Sequence, residues 1–510
     1  MKIITKKSII AFMLLNSVFA SDALISLGER LFNDGRFSRY FWQHSNGNVN
    51  LELNNGEKHL EKLLLANGLE VDSPFKGTTQ SCASCHMVDQ AFGSINDPGM
   101  RTYTDFSTRI KIPKRSDNKT HAARNTPSLV GIGSAYNRNR FSHWDGEFHD
   151  HFQTVLGNMT GRNMGWLSHE KEIARNNIIK VIREDDGSVQ SGDEFGGSYK
   201  EVLLSKNVEA EFRLDPSERV DISKADDQQV INAVINAVSA YMNDLDFEKD
   251  EIGQYIGSPF DKFLIKNGFS TIPKKDESNE KFTERLKNFL SGLNQPQFIE
   301  KKHFPTHHKD FSFGKVELEG AKVFFNIENS TRNQGSCFKC HQAPLYTDNS
   351  FHNIGTSQME YDMIHGEGSF KKLSIPTLDS RKNKFYNNAP EENNSQSFDL
   401  GVWNFYKRNK KVTDFIDTKV CTKNMKCDLS QMVARFKTPS LRDLSHSAPY
   451  FHNGLFDDLE DSISVYMFMS RKAKMGEMRN ADPILKEMRL NMMGVRALTS
   501  FLKSLNENYE

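Results

Sequence analysis

The spacing of apolar residues along this chain predicts helices far more often than strands. Residues 228–242 carry apolar side chains at helical intervals among good helix formers, and residues 492–505 repeat the pattern near the end of the sequence. Asp458 is a helix-capping residue type, and the apolar positions after it, ending with Tyr466, recur at i, i+4 and i+7. Strand-like alternation is scarce. The pattern therefore predicts a mostly α fold.

Polar segments separate the predicted helices. Residues 183–198 are rich in Gly, Asp and Ser, and residues 273–285 are rich in charge, so both are predicted to be surface loops. Residues 301–311 contain three histidines and a proline. They are predicted to link an N-terminal half, residues 21–300, to a C-terminal half, residues 301–510.

The first twenty residues have the pattern of a secretion signal. Three lysines precede an apolar run from Ile9 to Phe19 that is too short to span a bilayer, and Ala20 ends a V-F-A cleavage sequence. An uncleaved N-terminal anchor is the alternative. We expect residues 1–20 to be a signal peptide, the mature protein to be periplasmic, and no membrane span to remain after cleavage.

Composition excludes several classes of protein. The 510 residues are 37% hydrophobic and 26% charged, which is typical of neither a membrane-embedded nor a disordered chain. Lys and Arg number 66, as do Asp and Glu, and removal of the signal peptide takes the net charge from 0 to −3. A nucleic-acid binder would normally be basic, so nucleic acid is not an expected partner.

Two short segments carry the sequence C-x-x-C-H. In c-type haem attachment, two thiols add to the vinyl groups of one haem and the following histidine ligates its iron. A zinc site would need two converging cysteine pairs without the adjacent histidine, and a redox dithiol would need a βαβ context. The residues predicted to bind two covalent c-type haems are Cys82, Cys85 and His86 (the first haem segment) and Cys337, Cys340 and His341 (the second haem segment).

Two further cysteines lack a following histidine. Cys421 and Cys427 flank a charged stretch of five residues. In an oxidising compartment we expect them to form a local disulfide.

The surroundings of the two haem segments repeat. Each segment is preceded by a G-x-x-x-F sequence and followed by T-P-S-L and a turn ending in glycine. The matched stretches are residues 28–34 and 320–326, 124–129 and 436–441, and 143–146 and 451–454. Three landmarks in one order indicate an ancestral duplication. The predicted fold is mostly α, with two cytochrome c-like haem domains related by internal duplication.

These motifs, in this order, resemble those of the bacterial di-haem cytochrome c peroxidases and their MauG-like relatives. The order is G-x-x-L-F, C-A-S-C-H, R-N-T-P-S-L, W-D-G, C-x-x-C-H, F-H-N-x-G, T-P-S-L-R and P-Y-F-H-N-G, and it covers essentially the whole mature chain. The resemblance implies a peroxidatic haem in the N-terminal domain and an electron-transfer haem in the C-terminal domain. It also implies that His86 and His341 ligate the two irons.

The resemblance assigns roles to residues between the haems. Trp144 of W-D-G matches the tryptophan that relays electrons from one haem to the other, although on sequence alone it would be a packing residue. Asn125 matches a side-chain ligand of a calcium ion, and Ser447 and Pro449 match its two backbone-carbonyl ligands. Calcium is therefore an expected cofactor beside the haems.

The sixth ligand of the second haem is the most informative position. The family places it fourteen residues after the histidine of P-Y-F-H-N-G, as Met in the peroxidases and Tyr in the MauG-like enzymes. That position is Tyr466 here, and a phenolate would lower the potential of the iron relative to Met. Met467 and Met469 are alternative ligands, and Tyr466 could instead be a core residue of its helix.

The first haem site departs from the peroxidase pattern. The position of the displaceable distal histidine is Thr102, and the next histidine, His121, is more typical of a loop residue. The first haem is therefore expected to be five-coordinate and open to peroxide. The family's distal Gln and Glu positions are Thr154 and Met164.

Peroxide cleavage still needs a group that moves a proton. Gln153 is one place out of register and is predicted to substitute for the missing Gln. Arg162 is a candidate electrostatic donor. Other candidate bases share the predicted helix: Glu147, His149, Asp150 and His151. His352 and His452 are interpreted as structural hydrogen-bonding residues.

Three functions follow from this pattern. The leading one is a periplasmic peroxidase that reduces hydrogen peroxide to water with electrons from a small cytochrome c or a cupredoxin. A MauG-like enzyme that oxidises residues of a partner protein is the first alternative, and a non-catalytic di-haem electron carrier or sensor is the second. The resemblance also leaves room for a homodimer.

Overall fold

The structure is a computed structural model. It describes residues 20–64, 70–73, 75–86, 90–91, 100–101, 122–137, 141–190, 192–304, 309–377, 384–419, 428–444 and 447–507. Most of the predicted signal peptide, Thr102, His121 and the Cys421–Cys427 pair lie outside the described residues.

Helices dominate the described part of the chain, which confirms the predicted mostly α fold. Up to residue 300 they are α1 (Asp22–Asn33), α2 (Arg39–His44), α3 (His151–Met159), α4 (Lys171–Glu184), α5 (Tyr199–Leu204), α6 (Asp227–Asp244), α7 (Pro259–Lys266) and α8 (Asn279–Ser291). After it they are α9 (Lys315–Phe324), α10 (Thr356–His365), α11 (Ser369–Lys372), α12 (Lys410–Lys419), α13 (Leu459–Lys474), α14 (Ile484–Glu487) and α15 (Met492–Lys503). None of the described helices is long and apolar enough to cross a lipid bilayer.

The described strands are short and form two-stranded antiparallel sheets. The pairs are β1 (Lys62–Leu64) with β2 (Glu70–Asp72), β3 (Gln90–Ala91) with β4 (Met100–Arg101), β5 (Ile299–Phe304) with β6 (Lys309–Phe313), and β7 (Phe351–His352) with β8 (Phe436–Lys437). The pair β7–β8 joins the residues after the second haem segment to the T-P-S-L stretch.

The strongest sequence patterns produce the expected helices. Helix α6 covers the predicted residues 228–242, and α15 lies within residues 492–505. Asp458 caps α13, where its carboxylate accepts a hydrogen bond from the Asp461 backbone N–H at 3.0 Å. The buried side of α13 includes Leu459 and Ile463, so apolar spacing and a cap were sufficient to place it.

One loop prediction was wrong. Residues 279–285 begin α8, whose buried face presents Phe282, Leu286 and Leu290 while its charged residues face outwards. In the predicted linker, residues 301–304 and 309–311 belong to the β5–β6 hairpin, which also contains the buried Phe313. In both stretches charged residues outnumber the few apolar residues that pack the segment, so the apolar pattern is hard to recognise in the sequence.

Each haem segment lies against its own hydrophobic core. The first core joins α1, α3, α4, α5 and α6 and includes Ala83 of the first haem segment. The second core joins α7, α8, α9, α13 and α15 and includes Phe338 of the second haem segment. Helices α7 and α8 precede residue 300 yet pack into the second core, so the cores divide before the predicted domain boundary.

Matching glycines let matching helix pairs approach closely. Helix α1 packs on α6, and α9 packs on α15. Gly28 of α1 lies against the Ala237 carbonyl of α6, and Gly320 of α9 lies against the Ala497 carbonyl of α15, so neither position has room for a Cβ atom. This correspondence supports the duplication in three dimensions.

Candidate haem sites and the cavity between them

Both haem segments are fixed to the end of the helix that precedes them. The N–H groups of Cys82 and Ala83 donate to the Phe32 carbonyl near the end of α1, at 3.1 and 3.3 Å. Just ahead of the second segment, Gly335 N–H donates to the Val323 carbonyl of α9 at 2.9 Å. The thiols of Cys82, Cys85, Cys337 and Cys340 are free, so both pairs remain available for thioether formation.

The two histidines are held in the state that binds a metal. Burial lowers the pKa of both His86 and His341 to about 4, so their imidazoles are neutral at neutral pH. Hydrogen bonding to the backbone of Pro127 and of Pro439, the prolines of the repeated T-P-S-L motif, opposes that shift at the corresponding ring.

The two rings differ in their hydrogen-bond partners. The Nδ1 atom of His341 lies 2.9 Å from the Tyr346 carbonyl. The Nδ1 atom of His86 is buried and has no hydrogen-bond partner among the described residues. An unpartnered buried imidazole nitrogen of this kind fits a site built around a group that the chain itself does not supply.

A cavity of about 1060 Å³, here called the central cavity, opens beside the first haem segment. This volume lies at the upper end of the range for small-molecule and cofactor sites. Its walls come from both halves of the chain, because residues around His86 meet residues 437–451 there. The walls also carry the cationic side chains Arg124, Arg162, Lys437 and Arg442, which suits a group bearing carboxylates, as haem does.

Trp144 lies in the wall of the central cavity where the two halves meet. Its indole N–H donates to the Asn125 carbonyl at 2.9 Å, and its own carbonyl accepts from the Lys437 N–H at 2.7 Å. The ring is 8% exposed and packs in a cluster that includes Phe351 and Phe436 of the second half. The orientation of Trp144 is therefore fixed by contacts with residues of both halves of the chain.

A buried ion-pair network joins the same two halves. The Arg124 guanidinium contacts Asp145 at 2.5 Å and Asp399 at 2.6 Å. Burial works to raise the pKa of Asp399, but the adjacent Arg124 charge lowers it overall. Burial keeps the pKa of Asp145 raised even beside Arg124. Arg124 thus holds a carboxylate from each half.

Oxygen atoms converge around Asn125. Its Nδ2 atom lies 2.5 Å from the Pro449 carbonyl and 3.3 Å from the Phe451 carbonyl, and its backbone N–H donates to the His452 carbonyl at 2.7 Å. Ser447 and Pro449 line the central cavity together with Asn125. The structure thus brings together the three residues that the sequence predicts as calcium ligands.

Tyr466 lies beside the second haem segment. Burial raises its pKa, and the nearby thiols of Cys337 and Cys340 raise it further. The two methionines lie close by: Met467 packs on the second core together with Cys337, and Met469 contacts Gly355 in a cluster that Tyr466 also packs against. All three candidate ligands therefore lie in this region of the second half.

The structure does not bring Gln153 into the central cavity. Gln153 lies on the exposed side of α3, and its backbone N–H is taken up by the Asp150 cap at 2.7 Å. The adjacent Thr154 faces the cavity, and its hydroxyl donates to the Asp150 carbonyl at 2.7 Å. Helical geometry explains the difference, since one position around a helix turns a side chain by about 100°.

The other candidate acid–base and electrostatic residues lie in different places, some in the cavity wall and some outside it. Asp150 caps α3, His149 pairs with Asp150 at 3.2 Å, and His151 is buried. Arg162 lines the cavity, as does Met164. Glu147 binds the ring of His143 at 2.8 Å. His143 had no predicted role, although it immediately precedes Trp144 in the sequence and also lines the cavity.

His352 and His452 are both held by partners near the second haem segment. The His352 ring lies between Asp348 and Asp482, at 2.9 and 2.8 Å. The His452 ring stacks on Phe436 with ring centroids 3.5 Å apart.

Comparison with known families identifies part of the chain directly. Residues 76–268 match the family model described as di-haem cytochrome c peroxidase. This part of the chain is similar to the di-haem cytochrome c peroxidase family. The matched range includes the first haem segment and Trp144, and the second haem segment follows it. The similarity implies two haem groups, which the two neutral buried histidines and their free thiol pairs fit.

Individual relatives carry the same description. The cytochrome-c peroxidases IdrP2 and IdrP1 of Pseudomonas sp. (strain SCT) are 24% identical over 135 residues and 23% identical over 181 residues. These matches cover 26% and 34% of this chain, and only 28% and 37% of the relatives' own lengths.

Two solved structures align with nearly the whole chain, at lower sequence identity than the two cytochrome-c peroxidases. A MauG-like protein associated with microbial copper homeostasis is 17% identical with a TM-score of 0.47, covering 96% of this chain and 90% of its own. The diheme peroxidase BthA from Burkholderia thailandensis E264 is 15% identical with a TM-score of 0.45, covering 96% and 87%.

Proposed function

We propose that the chain is a di-haem c-type peroxidase that reduces hydrogen peroxide to water. The observation that carries this proposal is the central cavity: one wall presents the neutral His86 with its free thiol pair, and Trp144 connects that wall to the second half. Covalent attachment through Cys82, Cys85, Cys337 and Cys340 follows from the two C-x-x-C-H segments. A bound haem would supply an iron that accepts peroxide and stores oxidising equivalents.

The chain's own residues would divide the work between two sites. His86 would hold the first iron from one side, leaving the side towards the central cavity for peroxide. His341 and Tyr466 would hold the second iron from both sides, which would leave that site to electron transfer alone. Electrons would enter at the second site from a small cytochrome c or a cupredoxin.

Trp144 would connect the two sites. Its indole N–H donates to the Asn125 carbonyl, its backbone carbonyl accepts from the Lys437 N–H, and its ring lies against aromatic residues of the second half. A buried aromatic ring shared by two redox sites shortens the distance that an electron crosses in one step. This position supports the relay role rather than packing alone.

Asn125, Ser447 and Pro449 would hold one calcium ion. Side-chain and backbone oxygens are the ligands that calcium takes, and the Asn125 side chain lies beside the Pro449 carbonyl. Asn125 also accepts the indole hydrogen bond of Trp144. An ion there would fix the relay residue as well as the interface.

The test is turnover by the purified protein loaded with both haems. Reduced cytochrome c and, separately, a reduced cupredoxin should be oxidised when hydrogen peroxide is added, with two electrons consumed per peroxide. Trp144→Phe should slow this oxidation while leaving haem content unchanged. Failure of the wild-type protein to oxidise either type of donor would rule out the peroxidase function.

The position of Tyr466 favours a second candidate, a MauG-like enzyme that oxidises residues of a partner protein. A phenolate ligand would stabilise the oxidised iron and would leave both haems available to store oxidising equivalents. This candidate predicts that the fully oxidised protein reacts with peroxide without prior reduction. It also predicts that the oxidised state decays faster when the partner protein is present. A protein inert to peroxide would instead be an electron carrier or sensor.

The proposed location is the periplasm. It rests on the signal-peptide pattern of residues 1–20 and on the oxidising compartment in which c-type haem proteins work. Cleavage between Ala20 and Ser21, seen by N-terminal sequencing of the exported protein, would test it.

A further inference from the structure

His143 and Glu147 form a hydrogen-bonded pair at the edge of the central cavity. The Nδ1 atom of His143 lies 2.8 Å from a Glu147 carboxylate oxygen, and the two side chains are 23% and 34% exposed. His143 lines the cavity that also holds His86. His143 therefore borders the space where peroxide would bind, and the pair remains accessible to water.

Asn158 defines which nitrogen of His143 carries the proton. The Asn158 Oδ1 atom accepts from the Asn163 amide at 2.7 Å, and its Nδ2 atom donates to the Thr154 carbonyl at 2.9 Å. The same Nδ2 group faces the Nε2 atom of His143 at 3.4 Å. A donor facing Nε2 makes that nitrogen an acceptor, so the proton is on Nδ1, towards Glu147.

Glu147 is the ionised partner of this pair. Burial acts to raise its pKa, but the hydrogen bond and charge of His143, with Arg162 and Arg124, lower it overall. An anionic carboxylate at Nδ1 fixes the orientation of the ring and stabilises the imidazolium that forms when Nε2 takes up a proton. The long contact from Asn158 leaves Nε2 open to a better partner.

The imidazoles and carboxylates that line the described cavity wall are His86, His143 and Glu391. Lys437 also lines it and burial lowers its pKa to about 8, but its ammonium group donates to the Phe141 carbonyl at 3.0 Å. His86 is the predicted iron ligand, and Glu391 is exposed. The family's two distal positions are Thr154, whose hydroxyl donates to the backbone, and the apolar Met164.

We propose that His143 is the catalytic acid–base residue for peroxide cleavage at the first haem and that Glu147 is its positioning residue. The inference rests on the proposed peroxidase function. His143 Nε2 accepts a proton from one oxygen of hydrogen peroxide and returns it to the other. The O–O bond breaks with its electron pair on the second oxygen, which leaves as water. Two electrons from the one-electron protein donor and two protons from solvent convert the remaining oxygen to a second water.

The experiment compares three variants of the haem-loaded full chain by stopped-flow mixing with hydrogen peroxide. Loss of a general acid–base group lowers a rate by about 100-fold or more, and that fall is expected for the second-order rate constant of His143→Gln. Glu147→Gln should fall between this variant and the wild type. His169→Gln removes an exposed histidine that does not line the cavity, and it should match the wild type.

A second measurement separates proton transfer from a general disturbance of the site. Hydrogen cyanide must lose its proton when it binds ferric haem, whereas carbon monoxide binds reduced haem without proton transfer. His143→Gln should therefore slow cyanide uptake and leave carbon monoxide uptake unchanged. Equal slowing of both ligands would show that the variant damages the cavity and would overturn the proposal.

The failure of this inference is distinguishable from failure of the proposed function. If the wild type reacts with peroxide and His143→Gln reacts as fast, the assignment of His143 is wrong and the peroxidase function stands. If the wild type does not react with peroxide, the peroxidase function fails and the catalytic role of His143 fails with it.

Discussion

At the residue scale, the two haem sites differ in what faces the histidine of each segment. The first presents a cavity lined by His143, whose ring is bound by Glu147. The second has Tyr466 beside its cysteines, with its pKa raised by burial and by those thiols. We therefore expect one site to take a small substrate and the other to take an internal ligand.

Tyr466→Phe should remove the sixth ligand of the second haem. We expect the low-spin optical and EPR signals of that haem to disappear, because a phenyl ring cannot ligate iron. Tyr466→Met should keep a low-spin haem and raise its midpoint potential, by at least a tenth of the roughly 0.8 V that axial ligands span. Redox titration of the purified variants measures both effects.

Met467→Leu and Met469→Leu are the matched controls for this prediction. Each removes a thioether from the same helix without touching Tyr466, and each should leave the spectrum of the second haem unchanged. A wild-type spectrum in Tyr466→Phe, with a changed one in either methionine variant, would assign the ligand to methionine.

Residue patterns predicted some of these side chains and not others. The C-x-x-C-H spacing is local, so the candidate haem-attachment residues could be proposed from the sequence alone. His143 could not, because its partners Glu147 and Asn158 become neighbours only when the W-D-G turn folds against α3. Gln153 lies outside the cavity because the direction in which each side chain of α3 points depends on the residue at which the Asp150 cap begins the helix.

At the element scale, the crossing of α1 with α6 and of α9 with α15 defines each haem module. Gly28 and Gly320 lie where the helices cross and let α1 and α9 approach the backbones of α6 and α15 closely. The haem segments are hydrogen-bonded to the ends of the same two helices, α1 and α9. The position of each haem segment therefore depends on the closeness of a helix pair.

Gly320→Ala should separate α9 from α15 and destabilise the second module. Overpacking of this kind costs about 1–3 kcal/mol, and Gly28→Ala should have the same effect on the first module. Urea unfolding of the haem-loaded protein, monitored at the haem absorbance, measures the loss. Gly292→Ala is the control, since its Cβ would lie 3.6 Å from the nearest carbonyl oxygen. Equal stability of Gly320→Ala and Gly292→Ala would contradict the role of the crossing.

Element prediction succeeded where apolar spacing was dense and failed where charge dominated. Helix α6 is apolar enough that its period is unmistakable, whereas α8 buries only a few large side chains among many charged ones. The β5–β6 hairpin depends on pairing between segments, which single-strand patterns do not reveal.

At the scale of the whole molecule, the halves meet around Arg124, Asn125 and Trp144. The Arg124–Asp399 ion pair, the hydrogen bonds of Asn125 to residues 449–452 and the packing of the Trp144 ring all cross between them. Stability of this interface therefore depends on neighbouring residues of the first half.

Arg124→Leu should destabilise the interface strongly, because it leaves Asp145 and Asp399 buried without a counter-charge. Removing one partner of a buried ion pair costs about 3–5 kcal/mol. Thermal unfolding of the haem-loaded protein measures the effect. Adding Asp145→Asn and Asp399→Asn to Arg124→Leu should recover much of the loss.

The control for this prediction is an exposed ion pair. Lys410 and Asp414 lie 2.6 Å apart on α12 with most of the lysine exposed, so Lys410→Ala should change stability by no more than about 0.5 kcal/mol. If Arg124→Leu is as mild as Lys410→Ala, the buried network does not hold the halves together.

The repeated motifs indicate a duplication, but they do not show where one hydrophobic core ends and the other begins. Repeated motifs mark the two haem modules, whereas α7 and α8 join the second core through side chains that carry no motif. The place where one core ends and the next begins depends on packing between distant segments, and sequence spacing contains little of that information.

The most direct test of two unlike haem sites in one chain is EPR spectroscopy of the oxidised, haem-loaded protein before and after mixing with hydrogen peroxide. We predict one high-spin ferric signal from the first haem and one low-spin signal from the second, with the high-spin signal lost on addition of peroxide. Two low-spin signals that peroxide leaves unchanged would contradict this account.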